Sequence, residues 1–271
     1  MTEASTETVH DPTGAGCANC GALLQGRFCH ACGQQAVPLE VSLRDLLHEA
    51  IHEFGHLDGK IVQTLKVLVT KPGLLTKEFL EGRRKRYISP VRLYLTCSLV
   101  FFALAAVAPV DERPFFTITR SGSTGVNRGT KEQIRDATVE ANRAIIHNLP
   151  RVMFALMPLF ALVTWALYRK ARPFYAAHLY HSIHFHAFAF LMTTLTVSLR
   201  LAGGKYGSLV SGAGVPAILV CLHLSLHRVF GGSWFQTIWK GMVLWFLYLI
   251  VVGATVLALG LRAAYTILPT G

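Results

Sequence analysis

Five stretches of the chain are apolar around a whole helical circumference. They are Val91–Ala108, Val152–Tyr168, Leu179–Leu201, Leu209–Leu226 and Ile238–Leu261. Each approaches the roughly 20 residues that a bilayer crossing requires, and the last is long enough to tilt. Pro158 and Pro216 interrupt two of them, which membrane helices tolerate better than soluble ones. Upstream the pattern changes to one-sided. Leu43, Leu46, Leu47, Ala50, Ile51, Phe54 and Leu57 recur at helical spacing opposite a polar face. Ser42 and Asp45 resemble a capping box at the start of that helix. A second short helix is predicted over Lys60–Thr70, ending before Pro72-Gly73. The pattern predicts an all-α polytopic membrane protein with about five transmembrane helices. Its expected parts are a disordered lead-in over 1–16, a small N-terminal module over 17–37, juxtamembrane helices over 38–90 and a membrane domain over 91–271.

Composition supports this parse. Of the 271 residues, 52% are hydrophobic and only 15% are charged, against about 25% in an ordinary globular domain. After Glu140 there is no Asp or Glu, so the formal net charge of +11 resides largely in the apolar part. Basic residues at the ends of apolar segments suit an anionic membrane surface. No nucleic-acid partner is expected, because that chemistry favours basic clusters on a polar domain.

The Lys and Arg positions also set an orientation. Arg83, Arg84, Lys85, Arg86 and Arg92 precede the first segment. Arg169, Lys170 and Arg172 separate the second from the third, and Arg228 and Lys240 separate the fourth from the fifth. The loop between the third and fourth holds Lys205 alone. The expectation is a bacterial inner-membrane protein with a cytoplasmic N-terminus and a periplasmic or extracellular C-terminus. The segment 111–150 then lies outside, with a short amphipathic helix over Lys131–Asn148. The start of the chain lacks the basic, apolar pattern of a signal peptide.

A cytoplasmic N-terminus keeps thiols reduced, which bears on the cysteines. Cys17-Ala-Asn-Cys20-Gly and Cys29-His-Ala-Cys32-Gly form two knuckles. Each CxxC places two thiolates on one metal, and a following glycine permits the tight turn beneath them. Four thiolates suit tetrahedral zinc and leave no position for a reactive water. The expected cofactor is structural Zn2+ held by Cys17, Cys20, Cys29 and Cys32, with a rubredoxin-like iron as the alternative metal. His30 is expected to face solvent, and Cys97 and Cys221 to be inert core thiols.

Two histidine patterns remain. His48-Glu49-Ala50-Ile51-His52 matches HExxH, the zinc-binding helix of metalloproteases. Residues four apart also share the polar face of any amphipathic helix, and that plainer reading is preferred here. The third apolar segment opens with His178, His181, His184 and His186, and the fourth carries His223 and His227. With the orientation above, His184 and His223 both fall about 8 Å from their cytoplasmic helix ends, at 1.5 Å per residue. Ionisable residues within a membrane are candidate functional groups, so these six form a candidate intramembrane site. Neutral imidazoles can bind a second metal or haem iron, relay protons, or hydrogen-bond a quinone or lipid headgroup. The alternative is interfacial hydrogen bonding to headgroups and water.

Several features then coincide in chain order. The knuckles come first, followed by Thr64-Leu65-Lys66 with Lys71-Pro72-Gly73. Next come Glu81-Gly82-Arg83-Arg84-Lys85-Arg86-Tyr87-Ile88-Ser89-Pro90, then His178-Leu179 with His184-Phe185-His186-Ala187-Phe188, and last Arg228-Val229-Phe230-Gly231-Gly232-Ser233-Trp234. This arrangement resembles the bacterial membrane family labelled domain of unknown function 3667. The resemblance implies an inner-membrane protein and brings no established activity. It also places an acidic residue before the histidine matching His178, where this chain has Ala177.

The chain has no phosphate loop, dinucleotide fingerprint or nucleophile elbow. The expectation is therefore a scaffold or accessory protein. Its ribbon and its basic patch, Arg83, Arg84, Lys85 and Arg86, would engage a cytoplasmic protein partner or membrane lipids. A redox, metal- or haem-handling protein that uses the intramembrane histidines is the alternative, and a small-solute transporter the third class.

Overall fold

The computed structural model describes residues 14–36, 59–107, 131–202 and 212–267. The HExxH residues 48–52, with the helix expected around them, and residues 108–130 and 203–211 fall outside the described residues. Seven helices are described, without a strand among them. They are α1 (Lys60–Thr70), α2 (Leu74–Leu80), α3 (Pro90–Val107), α4 (Lys131–Tyr168), α5 (Tyr175–Ala202), α6 (Gly214–Phe230) and α7 (Trp234–Ile267).

The apolar segments form helices as expected, but the crossing count holds only in part. Three helical stretches are long and apolar enough to cross a membrane: Thr138–Tyr168, Tyr175–Ala202 and Trp234–Arg262. Pro90–Ala106 and Gly214–Phe230 are shorter apolar helices. At 1.5 Å per residue a 17-residue helix such as α6 reaches about 26 Å, short of the roughly 30 Å hydrocarbon core.

Two boundaries differ from expectation for identifiable reasons. Lys131–Asn148 and the following apolar segment form one continuous helix of 38 residues. The hydropathy drop over 131–148 marks a change of composition without a break in the backbone ladder. Pro150 and Pro158 both lie inside this helix. Near Pro158 the carbonyls accept side-chain hydrogen bonds from α5, Ser182 Oγ to Met157 O at 2.7 Å and Tyr175 Oη to Pro158 O at 2.9 Å. The fourth segment is shifted as well. Pro216 lies in the first turn of α6, where its missing N–H costs little. The helix then continues through His227 and Arg228 to Gly231 at φ +68°.

Helix α5 is the axis of the assembly, with α3, α4, α6 and the short α2 packed on it. Every residue from Ala177 to Phe188 is buried, so its first half is enclosed on all sides. Aromatic contacts seal this region: Phe79 of α2 lies 4.4 Å from Tyr180, and Phe160 of α4 stacks on Phe185 at 5.1 Å. Helix α7 packs along α4 and exposes Phe235, Trp239, Phe246 and Ile250. Large apolar side chains facing outward on a long apolar helix suit contact with lipid tails.

The turn Lys71-Pro72-Gly73 and α2 form a wedge between α5 and α6. Gly73 sits at φ +77°, and a Cβ there would lie 2.8 Å from Ser225 Cα of α6. Glycine is required on both grounds. Arg228, at the end of α6, donates from Nη1 to Pro72 O and ties the turn down.

Candidate functional site

Residues 14–36 build the ribbon from two equivalent turns. In the first, Cys17 N donates to Ala22 O and Gly21 N to Cys17 O, both at 2.8 Å. In the second, Cys29 N donates to Gln34 O and Gly33 N to Cys29 O, again at 2.8 Å. Gly21 and Gly33 adopt φ +80° and +69°, which a non-glycine residue resists. The turns bring all four sulfurs within 4.8 Å of one another. Cys17 and Cys32 sulfurs are 3.7 Å apart, and those of Cys20 and Cys29 3.5 Å. Tetrahedral ligands with Zn–S bonds of about 2.3 Å place sulfurs about 3.8 Å apart. All four cysteines are free thiols rather than disulfides. The residues present therefore fit a four-coordinate metal.

The clustered thiols share their protons unevenly: hydrogen bonds from their neighbours push Cys20 up and Cys29 down. Burial pushes the Cys29 thiol up, but the backbone amides of Cys32 and Ala31 and the thiols of Cys20 and Cys17 outweigh it, holding Cys29 at about 6. His30 is exposed, as expected.

The ribbon is docked onto the rest of the chain through a residue that sequence reasoning missed. Gln34 follows the second knuckle, and its side chain is buried. Its Nε2 donates to Gly82 O at 2.7 Å, while its Oε1 accepts from Arg84 N at 3.1 Å and Lys85 N at 3.3 Å. No periodicity or spacing marks Gln34, because its partners lie 48 to 51 positions away.

The basic patch is internally divided. Arg83 forms a two-pronged pair with buried Glu78, at 2.7 and 3.0 Å, and also pairs with Glu81. The hydrogen bond to Glu78 raises the Arg83 guanidinium above its ordinary value. Arg84 lies over the Phe79 ring at 5.1 Å. Arg86 is 3.6 Å from Glu78 and lies over Tyr87, and it is exposed, as is Lys85. The outward charge thus comes mainly from Lys85 and Arg86.

The intramembrane histidines are distributed among separate partners. His178 Nε2 donates to Arg172 O at 2.9 Å, with its ring stacked on Phe230 at 4.7 Å. Ser225 Oγ donates to Leu222 O, so His181 Nε2, 2.9 Å away, donates to Ser225 Oγ. That leaves His181 Nδ1 a bare acceptor, buried without a partner. His184 Nδ1 lies 3.0 Å from Thr76 Oγ1 of the wedge. His186 Nδ1 donates to Ser182 O at 2.8 Å, and Tyr248 Oη of α7 donates to its Nε2 at 3.1 Å. His223 Nδ1 donates to Leu219 O at 2.8 Å. Its ring fills the space over Gly241 of α7, where a Cβ would meet Nε2 at 2.6 Å. His227 stacks on Trp234 at 4.0 Å, close to Thr237.

Among the described residues, the four cysteines are the one group of three or more His, Cys, Asp or Glu side chains close enough to share a metal. His184 and His223, expected at equal depth, face different helices, α2 and α7. A cavity of about 20 Å³ lies beside His181, His184, Thr76, Cys221 and Ser225. That volume holds about one water and gives a haem no room.

Residues 58–102 match the family model described as a protein of unknown function, DUF3667. This match supports membership in a DUF3667-like family. No curated protein and no solved structure matches the chain. The DUF3667-like segment contains α1, the wedge, the loop that Gln34 grips, and most of α3. The ribbon docks on one side of this segment and α5 on another.

Proposed function

We propose that this DUF3667-like protein is a scaffold or accessory protein of the bacterial inner membrane. Its ribbon binds structural zinc on the cytoplasmic side and forms, with Lys85 and Arg86, a platform for a protein partner or anionic lipid. The observation that carries this reading is the convergence of four thiols, and of nothing else metal-ready among the described residues. Saturated thiolate coordination leaves no position for a substrate. A site of this kind supplies folding energy, about 10–16 kcal/mol in apparent terms for small zinc modules, and so holds a binding surface in shape. The orientation follows from the Lys and Arg at helix ends. The C-terminus is periplasmic if α3 and α6 cross together with the three longer helices.

Co-purification after chemical crosslinking in membranes tests the platform. Cys20→Ser is expected to lose the ribbon's partners while inserting normally. Unchanged partner recovery contradicts the role assigned to the ribbon.

A further inference from the structure

Gln34 links the metal site to the membrane domain. Its backbone carbonyl accepts the Cys29 N–H, so the turn that aims Cys29 and Cys32 also fixes where the Gln34 side chain begins. Its amide spends both ends on the backbone of residues 82–85. Such contacts hold a segment in place whatever side chains it carries. The segment is anchored at its flanks by other groups: Arg83 N donates to Glu78 O at 2.9 Å, and Ile88 N to Thr64 Oγ1 at 3.2 Å. The backbone of its centre meets Gln34, while the Arg84 side chain rests on Phe79 and that of Arg86 on Glu78 and Tyr87. The next element is α3, beginning at Pro90. Lys85 and Arg86 are therefore no more than about 15–18 Å of extended chain from the start of an apolar helix, and anionic lipid at a membrane surface attracts basic side chains.

The geometry points to a metal-dependent latch: the loaded ribbon, through Gln34, holds the backbone of residues 82–85 against the protein, and loss of metal loosens that backbone and gives exposed Lys85, with the exposed Arg86 beside it, to the anionic phospholipid surface. This rests on the ribbon being a metal site. A ribbon of this size has almost no apolar core, comprising little more than Cys17, Leu24 and Cys29, so it loses its fold with its metal. Gln34 then has no fixed position, and the 82–85 backbone loses three hydrogen bonds together. The released segment is both a trypsin substrate and a lipid ligand.

Tryptic cleavage within 83–86 reads both states on the full chain in nanodiscs. In neutral phosphatidylcholine discs, the metal-loaded protein is cut slowly, and chelation speeds cleavage by about tenfold. Gln34→Ala, carrying its metal, is cut at a similarly raised rate. Discs containing phosphatidylglycerol return the chelated protein and Gln34→Ala towards slow cleavage, because lipid covers the released segment. Equal cleavage rates for loaded, chelated and Gln34→Ala protein overturn the latch. Fast cleavage that phosphatidylglycerol does not slow overturns the lipid ligand. If the purified protein carries no metal, the zinc reading fails on its own account, while Gln34→Ala still reports whether the docking contact holds the segment.

Discussion

The ribbon and the first half of α5 are both rich in metal-ligating residue types, and they use them in opposite ways. In the ribbon, two short turns point four sulfurs at one point in space. In α5, four histidines lie within nine positions, yet each is spent on a different neighbour: Arg172 O, Ser225, Thr76 and Tyr248. Density of ligand residues in a sequence is therefore a poor guide to a site unless the backbone also converges. A ribbon turn enforces convergence locally. A straight helix enclosed on every side spreads its side chains around the full circle and gives each to whichever helix lies opposite. The imidazoles of α5 thus act as hydrogen-bonding joints of the bundle. Each such hydrogen bond favours one arrangement of neighbours, although the second ring nitrogens of His178 and His181 stay unpaired.

Three perturbations sharpen the contrast, the largest first. Acid should act on the ribbon. Metal binding requires thiolates, and Cys29 already sits at about 6 without metal. Its neighbour Cys20 is pushed the other way by the surrounding thiols, so protons and metal compete for the four sulfurs as one cluster. Metal is expected to remain bound at pH 7 and to leave on acidification, as followed by a chromogenic zinc indicator, while the helical signal of the bundle persists. Joint loss of both signals would mean that the two regions are not separable.

The wedge is the next target. Gly73→Ala adds a Cβ at φ +77°, 2.8 Å from Ser225 Cα and 3.0 Å from Ser225 O. The left-handed backbone and the backbone clash together cost roughly 2–5 kcal/mol. Its unfolding midpoint in detergent should fall clearly, with metal content unchanged. Thr76→Val is milder. It removes the Thr76 partner 3.0 Å from His184 Nδ1 at nearly constant volume, while the contact of His184 with the Tyr180 backbone remains, a cost of about 0.5–1.5 kcal/mol for one lost hydrogen bond. A variant as stable as wild type would show that the Thr76–His184 contact contributes nothing to the joint.

How much of this was legible in the sequence follows the range of the interactions. The knuckles were legible because their ligands are three positions apart and their glycines are adjacent. The apolar helices were legible from hydropathy, and the stop at Pro72-Gly73 from turn chemistry. Helix α2 was not, since seven residues are too few to show a period. The joints of the α5 histidines were not either: Ser225, Tyr248 and Thr76 lie 44, 62 and 108 positions away, and nothing local announces them. The continuity of α4 was hidden for a different reason. Hydropathy reports side-chain composition, and α4 passes from a polar to an apolar composition without a break in its backbone.

Metal content per chain tests the central contrast most directly. Elemental analysis of purified wild type, Cys20→Ser and His184→Ala should give one zinc in wild type, none in Cys20→Ser and one in His184→Ala. A second equivalent of metal, or haem, that disappears with His184→Ala would contradict the account and make the α5 histidines a metal site.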